Sequence, residues 1–87
     1  MKIKSGYIIR EVAGNHVVVP TGKASLDFSG VMTLNETGAF LWKQLAIDKT
    51  EQELLFALLD EYDVNETTAK ADISEFIAKL KEADFFE

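Results

Sequence analysis

The stretch Gly30-Val31-Met32-Thr33-Leu34-Asn35-Glu36-Thr37-Gly38-Ala39-Phe40-Leu41-Trp42 passes from a strand pattern through a helix cap into an aromatic-rich helix. Val31 to Leu34 continues an apolar/polar alternation begun at Leu26-Asp27-Phe28-Ser29, so a third strand is expected within 26–34, with Gly30 a point of interruption. Asn35 has the side chain of an N-cap, Glu36 adds a negative charge to the first turn, and Leu34 is placed to staple onto the next turn. Phe40, Leu41, Trp42 and Leu45 then give one apolar side to a helix of about 36–46. Everything before this junction reads as β and everything after it as α.

Upstream, Tyr7-Ile8-Ile9-Arg10-Glu11-Val12 and His16-Val17-Val18-Val19 are rich in β-branched residues. Ala13-Gly14-Asn15 between them is a compact turn, so the two runs form a hairpin. Pro20 cannot donate to a ladder and should close the second strand or lie on an edge. Thr21 to Ser25 reads as a loop. Downstream, Ile47-Asp48-Lys49 breaks the helical pattern, and Thr50-Glu51-Gln52-Glu53 is a capping box. Leu54, Leu55, Leu58, Leu59 and Tyr62 then share one helical face up to about Asp63. Asn65, with Val64 as staple, caps a last helix in which Ala69, Ile73, Phe76, Ile77 and Leu80 recur at helical spacing to about Lys81. Phe85 and Phe86 are left either to fold back on the core or to end the chain in solvent. The expectation is one α+β domain over 1–87, a three-stranded antiparallel sheet followed by three helices, related to winged helix-turn-helix folds.

An 87-residue chain with 47% hydrophobic and 28% charged residues has ordinary globular composition and enough length for one core. It contains no cysteine, which excludes a disulfide framework and a thiolate zinc site. The N-terminal run lacks the apolar centre of a signal peptide, and no segment approaches the roughly 18 apolar residues of a membrane span, so a cytoplasmic location without a membrane partner is expected. The net charge of -6 is unevenly spread: residues 1–49 carry six basic side chains against four acidic, and residues 50–87 carry three against eleven. An acidic helical half repels phosphate backbones, so no nucleic-acid partner is expected.

Catalytic chemistry finds no footing. A triad would need His16, the single histidine, which falls inside a strand beside a turn. The carboxylate pairs Glu51/Glu53, Asp60/Glu61 and Asp72/Glu75 lack the spacing of a calcium loop and read as solvated helix faces. The five glycines are isolated and form no phosphate loop. The chain is expected to be no enzyme and to need no cofactor or metal. Trp42 is expected in the core and not on a binding surface. What remains is backbone: the outer edge of a small sheet is either blunted or used to capture an extended peptide, and the third strand carries no Pro or Lys between Ser29 and Leu34.

Taken together, Val17-Val18-Val19-Pro20, the run from Phe28 through Leu34-Asn35-Glu36-Thr37-Gly38-Ala39, Trp42, Leu45, Thr50-x-x-Glu53-Leu54 and Glu61-Tyr62-Asp63-Val64 resemble the PqqD family over nearly the whole chain. The resemblance implies a small cytoplasmic peptide chaperone, a recognition element for precursors of ribosomally synthesised and modified peptides. Such a protein presents the leader part of a precursor to a modifying enzyme, typically a radical SAM maturase. In that family the leader adds as an antiparallel strand to the third strand, in a groove beside the third helix. Carried onto this chain, Ser29, Gly30, Val31, Met32 and Thr33 would supply ladder hydrogen bonds, while Asp72, Glu75, Phe76 and Lys79 would flank the peptide. Phe76 is open between groove and core. The resemblance does not select a product or a pathway.

Two other classes fit the same elements. A winged-helix DNA-binding module would need a basic third helix, whereas Glu66 to Glu87 holds three Lys against six acidic residues. A dimerising structural adaptor would pair its free edges with each other, while a peptide chaperone is expected to be a monomer or weak homodimer.

Overall fold

The computed structural model describes residues 1–21 and 32–87. Its elements are β1 (Tyr7–Val12), β2 (Asn15–Pro20), β3 (Met32–Leu34), α1 (Glu36–Gln44), α2 (Glu51–Glu61) and α3 (Glu66–Glu82). The strands form one antiparallel sheet in the order β1-β2-β3, as expected for the α+β class. The expected loop at 22–25, the part of the third strand proposed at 26–31, and Ser29, Gly30 and Val31 all lie outside the described residues. Helix ends fall within about two residues of the sequence reading.

The hairpin turn is tighter than its sequence suggests. Val12 pairs with Asn15, leaving Ala13 and Gly14 as a two-residue loop, and both have positive φ, 52° and 82°. A two-residue hairpin loop of this kind requires left-handed backbone at both positions, because only then does its twist match that of the strands. Gly14 adopts it at little cost, but Ala13 carries a penalty of roughly 1–2 kcal/mol. Asn15, expected in the turn, opens β2 instead.

Three side-chain caps begin the helices. Asn35 Oδ1 accepts the Gly38 N–H at 2.7 Å and Asn65 Oδ1 accepts the Thr68 N–H at 2.7 Å. At α2 the capping box is complete: the Glu53 N–H donates to Thr50 Oγ1 at 3.1 Å, and the Thr50 N–H donates to Glu53 Oε1 at 2.9 Å. The Thr50 N–H, and then its hydroxyl, favour the ionised form and hold the Glu53 carboxyl below its ordinary value.

One face of the sheet meets the helices. Val18, Leu34, Leu41, Leu45, Leu54, Leu58, Ile73 and Leu80 form the centre of one hydrophobic cluster, with Trp42 buried in it as expected. The chain's two ends complete the cluster. Phe85 is 1% exposed, and its ring stands edge-on to Tyr7 at 4.8 Å and to Trp42 at 5.2 Å. Ile3 and Phe86 pair as an antiparallel bridge, flanked by hydrogen bonds from the Lys4 N–H to the Phe85 carbonyl and from the Glu87 N–H to the Lys2 carbonyl. Of the two placements open to the C-terminal aromatics, folding back on the core is the one adopted, with Phe85 buried and Phe86 half-buried.

Two stability changes are expected. Ala13→Asn should raise unfolding free energy by roughly 0.5–1 kcal/mol, since Asn-Gly suits this turn. Phe85→Ala should lower it by about 3–5 kcal/mol. Urea denaturation followed by far-UV circular dichroism measures both.

Candidate functional site

The pairing register decides which backbone groups are open. The Thr21 N–H donates to the Gly6 carbonyl at 2.6 Å, which makes 6 and 21 a hydrogen-bonded pair. By alternation 8 and 19, 10 and 17, and 12 and 15 are also such pairs. His16 and Val18 of β2 therefore turn their N–H and C=O groups the other way, toward their partners Leu34 and Met32 on β3. Thr33, opposite Val17, is left with its N–H and C=O directed outward from the sheet. Among the described residues no strand lies beyond β3. Pro20 follows the same logic: its missing N–H falls on the side away from β1, past the last described pairing with β3.

Beside this edge runs a groove of about 150 Å³. Thr33 and Leu34 contribute from β3, Asn35, Thr37, Gly38 and Leu41 from the start of α1, and Asp72, Glu75, Phe76 and Lys79 from α3. Of the nine residues that the family resemblance implies, Thr33, Asp72, Glu75, Phe76 and Lys79 are thus brought together on one concavity. Met32 is half-buried against the core, and by the same alternation its backbone groups face β2. Phe76 is 7% exposed and lines both core and groove, which makes the two placements one.

The α1 contribution escaped the sequence reading. Gly38 was visible as a glycine in a first helical turn, and the structure supplies its reason: a Cβ there would lie 3.1 Å from Asn35 Oδ1 and 3.3 Å from Leu34 Cβ. The cap and the staple residue therefore pack directly on the helix at the groove's floor.

Asp72, Glu75 and Lys79 are exposed and have no ion-pair or hydrogen-bond partner among the described residues. Glu75 and Lys79 stand four residues apart on one helix, a spacing that permits pairing, yet the pair that forms on α3 is Lys70 with Glu66 at 3.7 Å. A wider recess of about 850 Å³, with Leu55, Phe56 and Ile73 among its lining, lies between α2 and α3 but contains no strand edge. His16 is half-buried on β2, and no group of three His, Asp or Glu side chains that could hold a metal occurs among the described residues. No helix among them is long and apolar enough to cross a membrane.

The described residues thus place a strand edge with no described neighbour beside an acid-bearing helix in an α+β scaffold. The chain belongs to the PqqD family, coenzyme PQQ synthesis protein D, which it matches over residues 15–85. Two solved structures share its fold. One is TbiB1 in complex with the TbiA(beta) leader peptide, with 22% identity and a TM-score of 0.73 over 100% of this chain and 95% of that one. The other is a lasso peptide synthetase B1 complexed with the leader peptide, with 20% identity and a TM-score of 0.69 over 97% of this chain and 93% of that one. A search by sequence among curated proteins finds no match.

Because the three groove charges carry no ion pair or hydrogen bond among the described residues, Asp72→Asn, Glu75→Gln and Lys79→Gln should each leave unfolding free energy within about 0.5 kcal/mol of the parent. A loss above about 1.5 kcal/mol in urea titration would give that residue a structural duty.

Proposed function

We propose that the chain is a non-catalytic peptide chaperone that binds the leader of a ribosomally made precursor and presents it to a modifying enzyme. The leader adds as an antiparallel strand to β3. The observation that carries this reading is the outward N–H and C=O of Thr33 at the mouth of the groove walled by α3. An extended peptide satisfies both groups at once, whereas a small compact ligand would leave the strand edge unused. The family supports the reading, and so do the leader peptides named with the two similar structures. A single domain across 1–87, acting in the cytoplasm as a monomer or weak homodimer, completes it. A radical SAM maturase is the first candidate for the receiving enzyme, and other peptide-modifying enzymes satisfy the same chemistry.

Charge weighs against the DNA-binding alternative. α3 would be the helix offered to a major groove, and its Asp72 and Glu75 stand on the open side, where they would meet phosphate with repulsion.

The test uses twelve-residue peptides selected from a displayed random library on the intact protein. Thr33→Pro removes the outward N–H and should weaken a selected peptide by about 100-fold or more, because it loses a ladder bond and places the proline ring in the peptide's path. Glu11→Pro makes the same change on the opposite edge, where the outward groups of β1 lie, and should bind normally. Equal binding by wild type and Thr33→Pro in calorimetry, with unchanged circular dichroism, would rule out strand addition to β3.

A further inference from the structure

The groove has a direction, and its charges are ordered along it. Tyr62, at the end of α2, contacts Phe40 at 5.5 Å and lines a recess with Gly14, Asn15 and His16, so α3 starts near the hairpin turn. It ends near Phe85, which packs on Tyr7 at the other end of the sheet. β3 runs the opposite way, from Met32 opposite Val18 to Leu34 opposite His16. A peptide antiparallel to β3 therefore runs parallel to α3, and it meets Asp72 first, then Glu75 and Phe76, and Lys79 last.

We infer that the groove selects a leader segment of the form cation–x–apolar–x–anion, read from the N-terminus, an inference that rests on the strand-addition reading. The spacing follows from the ladder. The peptide residue opposite Thr33 shares the side-chain direction of Thr33, away from the core, so its two neighbours, opposite Leu34 and Met32, point into the groove. Groove-facing positions recur every second residue and span roughly 13 Å over four steps. Asp72 to Lys79 covers roughly 10.5 Å of helix, a difference that long charged side chains absorb. The central apolar residue then falls at Phe76, with Leu34 and Leu41 behind it, in a space of about 150 Å³, which suits one leucine- or phenylalanine-sized side chain. The cation faces Asp72 and Glu75, and the anion faces Lys79, which has no ion-pair partner among the described residues.

Two synthetic peptides of identical composition separate order from charge: Thr-Lys-Thr-Leu-Thr-Glu-Thr and its exchanged partner Thr-Glu-Thr-Leu-Thr-Lys-Thr, each with acetylated and amidated ends. The first should bind about tenfold tighter at low ionic strength, and the difference should largely vanish at 1 M salt, where the screening length is about 3 Å. Lys79→Glu should reduce the preference by weakening the first peptide and strengthening the second. Equal affinities, or a preference for the second peptide, would overturn the charge order. Binding by neither would refute the pattern as well. Strand addition is judged separately by whether Thr33→Pro loses the library-selected peptides, so the order can fail while the edge stands. A selected consensus with no cation-before-anion bias would be such a result.

Discussion

The pairing of Val12 with Asn15 across two turn residues is the constraint on which the site depends. A two-residue loop sets the hydrogen-bonding parity of β1 and β2, and parity propagates without choice across an antiparallel sheet. It turns His16 and Val18 toward β3 and so turns Thr33 outward. A third residue in the loop would shift the alternation by one, which would exchange core and solvent faces of a strand. The left-handed φ of Ala13 is the strain accepted to keep that count at two. The activity proposed at one edge of the sheet is therefore fixed by geometry at the far end of the hairpin.

The helices follow a different logic. Each begins at a side chain that closes an open N–H, so the caps at Asn35, Thr50 and Asn65 determine where the helical segments start independently of the core. The apolar stripes then decide which way each helix turns. α3 serves two environments at once: Ile73, Ile77 and Leu80 lie in the core, while Asp72, Glu75 and Lys79 stand clear of it. Phe76 sits at the boundary and is the residue through which the core becomes the floor of the groove.

These two logics explain what could be read from the sequence. Caps and stripes are local, so three helices, their order and their approximate ends were legible, as was the hairpin. The turn length was misjudged because Asn15 tolerates positive φ as readily as the residues that use it, and nothing local distinguishes them. Parity was out of reach for the same reason, which is why Met32 and Thr33 looked equivalent. Asp72, Glu75, Phe76 and Lys79 came from a family resemblance, and α1's share of the groove was hidden because Leu41 satisfied helical periodicity without need of another explanation. Phe85 and Phe86 carry no periodicity in so short a tail, and only contact with Tyr7 and Trp42 separates the buried ring from its neighbour.

The bridge between Ile3 and Phe86 makes the two ends of the described chain neighbours. Phe85 lies beside Tyr7, at the end of the sheet away from the hairpin turn, and the Met1 ammonium is held by Asp48 and the Lys49 carbonyl between α1 and α2. Loss of either end segment would therefore unpair the other and uncover the core around Phe85, Tyr7 and Trp42.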